Sequence, residues 1–101
     1  MLLEDADDLA ALEAASELRR AGFAVAICRG PSRRTGCPVV AGEPCCAAEG
    51  ADVIISALGG EPHVVDIPDA LRARYPETPV IVRRERANDH VAAARAANAQ
   101  H

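Results

Sequence analysis

The sequence predicts a single α/β domain with a mainly parallel sheet, and three observations predict it. Val53, Ile54 and Ile55 form an unbroken β-branched run between Gly50 and Gly59-Gly60, the pattern of a strand buried on both faces of a parallel sheet. Stretches with helical spacing alternate with further apolar runs along the chain, which is the signature of helices crossing over between parallel strands. The 101 residues suit one domain, 1–101, with no linker or internal repeat to divide it. In such sheets the ligand crevice lies beyond the carboxyl ends of the strands, here at Leu58-Gly59-Gly60.

The elements follow in order. Leu2 and Leu3 read as the stub of a first strand. Asp5 reads as an N-cap with Asp7 and Asp8 in the first helical turn, where acids suit the positive end of the helix dipole. Leu9, Leu12, Ala15 or Ser16, and Leu18 or Arg19 then follow helical spacing. Arg19 and Arg20 close the helix, Gly22 fits the left-handed position after it, and Phe23 anchors the exit. Phe23–Cys28 is a second strand, and 29–36 a loop by its Gly, Pro and Arg content. Val39-Val40 reads as a brief extended piece, and Pro44–Glu49 as a helical turn or two ended by Gly50. After the central strand, Asp66 is expected to cap a short helix with Pro68 in its first turn, running to Arg74 or Tyr75. Pro79–Val82 is a fourth strand, and Asn88 or Asp89 opens a final alanine-rich helix.

Composition narrows the function classes. Half the residues are apolar, but Phe23 and Tyr75 are the only aromatics, so the core is built from Ala, Val, Leu and Ile and modest stability is expected. A net charge of −4 argues against nonspecific nucleic-acid binding. The start Met-Leu-Leu-Glu-Asp lacks a basic and then apolar leader, and no stretch has the length of a membrane span. The cytoplasm is the expected compartment, where cysteines serve as free thiols, metal ligands or redox groups.

The order of elements resembles that of response-regulator receiver domains. The resemblance is carried by Leu2-Leu3-Glu4-Asp5 and the helix ending Arg19-Arg20-Ala21-Gly22-Phe23. It continues in Ala51-Asp52-Val53-Ile54-Ile55-Ser56-Ala57-Leu58 and in the stretch from Asp69 to Val82. It implies a flavodoxin-like three-layer fold, here apparently incomplete at the first and last strands. It also implies a signalling role through protein–protein contact. Receivers bind Mg²⁺ through an acidic pair after the first strand, which falls at Glu4 and Asp5. They accept the phosphoryl group on an aspartate in the third strand, a position that is Ala57 here, while Arg84 stands in place of the family's Ser or Thr. The resemblance therefore implies a domain that has lost its phosphoryl-acceptor chemistry, with Glu4 and Asp5 a vestigial cluster and the chain not an enzyme. With the central slot thinly filled and the far edge open, a homodimer is expected. The stretch 51–60 also resembles the fourth strand of short-chain reductase-like proteins, but the Gly-x-Gly-x-x-Gly turn they need is absent.

Cys28, Cys37, Cys45 and Cys46 all fall between the second and third apolar strands. Their spacing is not Cys-x-x-Cys, but topology would bring them to the carboxyl-end face. One reading is small buried hydrophobes. The other is a soft site for zinc or an iron–sulfur cluster, or a thiol–disulfide pair. A helix start at Cys45-Cys46 would favour the thiolate. A small metal-binding or redox-sensing protein is thus the alternative function. His63 and the run Arg83, Arg84 and Arg86 also fall at carboxyl ends, where a solvated loop is the plainer reading.

Overall fold

The four strands are β1 (Leu2–Glu4), β2 (Ala26–Cys28), β3 (Ile54–Ser56) and β4 (Val80–Val82). The helices are α1 (Asp8–Arg20), α2 (Ile67–Arg74) and α3 (His90–Ala99). They belong to a computed structural model that describes residues 1–31, 36–59, 64–82 and 90–99. The strands form one sheet in the order β2-β1-β3-β4, every pair parallel.

The first strand is therefore not missing from the centre of the sheet, as the sequence led us to expect. Three residues suffice because both edges of the strand are used. Leu2 N–H donates to Val53 O at 3.0 Å, Asp5 N–H to Cys28 O at 3.0 Å, and Ala57 N–H to Glu4 O at 2.7 Å. Leu2 and Leu3 are fully buried. Among the described residues no strand follows β4 in the sheet.

Strand alternation sends successive side chains to opposite faces. Leu2, Ile54 and Val80 share one cluster with Ile67 and Leu71 of α2 and with Val39, Ala48 and Val64 of the connecting segments. Leu3 and Ile55 share the other with Ala14, Ala15 and Leu18 of α1 and Ala94 and Ala97 of α3. The register then places Cys28, Glu4 and Ser56 in one row across β2, β1 and β3, on the α2 face.

Helix α1 starts two residues later than expected. Asp7 is the N-cap, its carboxylate accepting from Ala10 N–H at 3.0 Å, while Asp5 Oδ1 accepts from Asp7 N–H at 2.9 Å. Of the positions with helical spacing, Ala15 and Leu18 face the core and Leu9 and Leu12 do not. Ala11, Ala14, Ala15 and Leu18 are buried, whereas Leu9 is 72% and Leu12 54% exposed. Small residues let α1 approach the sheet and pack beside α3, and a leucine at the contact would hold it away. The exit is as expected: Gly22 adopts φ 99°, Gly22 N–H donates to Arg19 O and Phe23 N–H to Leu18 O, a Schellman arrangement.

Between β2 and β3, Val39-Val40 is not extended. Residues 38–42 form a turn with Glu43 N–H donating to Pro38 O at 2.8 Å, which lets Val39 reach the cluster. Residues 46–50 make turns rather than a helix, tied by Glu49 N–H to Cys45 O at 2.9 Å. Asp66 precedes α2 as expected but forms no side-chain cap, because its own backbone is already helical (φ −88°, ψ −7°). The start of the last helix expected at Asn88 or Asp89 lies outside the described residues.

Candidate functional site

At the carboxyl end of β1, Glu4 turns inward. It is 4% exposed, and its in-register neighbours are Cys28 on β2 and Ser56 on β3. Among the described residues its Oε1 has no hydrogen-bond partner. Burial pushes the Glu4 carboxyl up from its ordinary value, and a hydrogen bond with Ser56 opposes that shift. Asp5, 9% exposed, is spent on the Asp7 amide. The two acids thus serve different ends, one as a buried carboxyl and one as a turn-former at the helix start. Ala57 follows β3, half-buried, its N–H engaged by Glu4 O. It offers no nucleophile. Ser56, 2% exposed, lies on Glu4's face of the sheet.

Cys28 closes β2 and is half-buried. Burial pushes its thiol up, the Gly30 N–H at 3.4 Å from Sγ pulls it down, and the charges of Glu4, Cys45 and Cys37 push it up again. Gly30 is favoured here by its backbone. It adopts φ 86°, a left-handed conformation that favours glycine, and a Cβ there would stand 2.8 Å from Leu58 Cδ2, the tip of a side chain that would have to shift.

Cys37 and Cys45 pack against the same cluster as Cys28. The structure thus packs three of the four cysteines against one core cluster and leaves Cys46 exposed; all four are free. With turns in place of a helix at 46–50, Cys45 and Cys46 do not open a helix. Among the described residues no three of His, Cys, Asp and Glu stand together as a metal-holding group, so the zinc and iron–sulfur readings gain nothing from the geometry. His63, Arg83, Arg84 and Arg86 lie outside the described residues.

Tyr75 makes a long-range contact that the sequence did not single out. Its hydroxyl accepts from Cys45 N–H at 3.0 Å and donates to Glu49 Oε2 at 2.6 Å, clamping the 45–50 turn onto the end of α2. Only its place just past a helix could have hinted at this, since the contact spans thirty residues. Among the described residues no helix is long and apolar enough to cross a membrane. The chain matches no protein-family model, no curated protein and no solved structure.

Proposed function

We propose that the chain is a receiver-like interaction domain of flavodoxin type that is not phosphorylated and acts by protein–protein contact. One observation carries the reading: the parallel order β2-β1-β3-β4, with Glu4 ending β1, Asp5 next to it, and Ala57 just after β3. That order begins the 2-1-3-4-5 arrangement of flavodoxin-like sheets. Helices on both faces, α1 and α3 on one and α2 on the other, support the three-layer form. In place of a cation site, the acidic pair has a buried carboxyl in Glu4 and a backbone-bonded one in Asp5. Phosphoryl chemistry has no acceptor at Ala57. The surface available for contact includes the exposed Leu9 and Leu12 of α1.

The test is incubation with acetyl phosphate and Mg²⁺ followed by intact-mass measurement. No phosphoryl addition is expected. An added phosphoryl group with the hydroxylamine lability of an acyl phosphate, persisting in Ser56→Ala, would overturn the reading. A second reading, a small thiol redox sensor, is favoured by one observation, the packing of Cys28, Cys37 and Cys45 against a single cluster.

A further inference from the structure

We propose that α1 is the contact surface for a second copy of this chain, the two helices packing antiparallel across a twofold axis with Arg20 of each copy beside Glu13 of the other. This contact rests on the interaction-domain reading above and adds the partner and its orientation. Helix α1 buries Ala11, Ala14, Ala15 and Leu18 against its own chain. Leu9, Glu13, Ser16 and Arg20 recur at helical spacing on the opposite side, and all are exposed. Leu12 flanks this ridge and is exposed as well. The ridge therefore runs from an apolar end through an acid and a small residue to a base.

Its charge order decides the occupant and the orientation. A parallel pair would set Glu13 on Glu13 and Arg20 on Arg20. Reversing one helix about a twofold axis midway along the ridge instead brings each Arg20 level with Leu9 of the other copy, one turn from Glu13. The Arg20 methylene stem then covers Leu9 while its guanidinium extends to the Glu13 carboxylate. Ser16, small, lets the helices approach where they cross. The helix ends follow the same sense, with Asp8 in the first turn and Arg19 and Arg20 in the last, so antiparallel helices also oppose their dipoles. Asp8 and Arg19 are engaged within the chain, with Arg29 and with Val25 O, so the pair assigned to the contact is Glu13 and Arg20. The twofold repeats each favourable contact, giving one short helix a dimer of the weak, transient class.

The experiment is sedimentation equilibrium of the full chain, reduced, as parent, Glu13→Arg, Arg20→Glu and the double variant, each at low and high sodium chloride. Each single reversal turns two symmetric attractions into repulsions, so the dimer is expected to weaken about tenfold. The double variant is expected to recover the parent's affinity, because antiparallel packing again sets opposite charges together. Salt is expected to weaken the parent dimer. Single variants that associate like the parent overturn the contact, and weakened singles with no recovery in the double overturn the antiparallel orientation. Should a variant not fold, the parent decides by itself: association that salt leaves unchanged or strengthens overturns the charge pairing. A parent that stays monomeric overturns the second copy as partner and leaves the interaction-domain reading intact. Phosphorylation by acetyl phosphate would overturn that reading and not this contact.

Discussion

Glu4 shows how a residue can be conspicuous in sequence while its role is fixed by its neighbours. An acidic pair at the end of a first strand is easy to notice. Which acid faces the sheet interior depends on the register with Cys28 and Ser56, and that register is a property of the assembled sheet. The consequence is a pH dependence whose sign follows from linkage. Burial raises the folded-state pKa of Glu4 above its ordinary value of 4.5, so between the two values the folded chain holds a proton that the unfolded chain has lost. Stability contributed by Glu4 is therefore complete below the unfolded pKa and falls as pH rises through the folded one, by at most about 1.4 kcal/mol per pH unit for a single proton. Chemical denaturation of the parent and of Glu4→Gln, compared at a series of pH values above 4.5, checks this. The difference in unfolding free energy between the two is expected to shift in favour of Glu4→Gln as pH rises, then level off. A difference that stays constant across the series would mean that Glu4 is not held neutral by the fold.

Among the elements, α1 was legible in existence and exit but only in part in facing, Ala15 and Leu18 being buried and Leu9 and Leu12 exposed. Its boundaries rest on local chemistry: Asp7 capping Ala10 N–H, and Gly22 supplying the left-handed turn. The buried stripe is decided by the partner surface. Ala11, Ala14, Ala15 and Leu18 fit helical spacing as well as Leu9 and Leu12 do, and in an alanine-rich helix hydropathy favours the leucines. What favours the alanines is close approach to the sheet and to Ala94 and Ala97 of α3, a distance no single segment encodes. The 37–50 segment was illegible for a related reason, since its two turns cover the sheet face through Val39 and Ala48 with no periodic pattern. Two substitutions separate the alternatives. Ala15→Leu is expected to overpack the contact and cost about 1–3 kcal/mol, read as a lower denaturant midpoint. Leu9→Glu with Leu12→Glu is expected to leave stability within about 0.5 kcal/mol of the parent. The reverse pattern would return the leucines to the core.

At the scale of the whole molecule, the open question is what lies against its uncovered surface. The first argument for a homodimer, a thinly filled central slot, falls with β1 paired on both sides. The outer strands give little replacement for it. Both are three residues long, and an arginine guanidinium caps a backbone carbonyl beside each: Arg19 on Val25 O at 3.0 Å and Arg72 on Val80 O at 2.9 Å. Short strands with charged groups laid on their edges are the usual defence against edge-to-edge pairing. The exposed leucines of α1 carry no such guard. Two apolar side chains one helical turn apart, each more than half exposed, form a self-complementary ridge when a second copy meets them across a twofold axis. Association through α1 rather than through the sheet is therefore expected. Sedimentation across a wide concentration range should show a weight-average mass that rises for the parent and stays monomeric for Leu9→Glu with Leu12→Glu, the fold of the variant being checked by its unchanged denaturant midpoint. A parent that remains a monodisperse monomer at about 100 μM, where even weak apolar contacts of this kind register, would remove the second copy as the occupant of α1. Association that persists in the double variant but responds to Arg19→Ala or Arg72→Ala would move the contact back to the sheet edges.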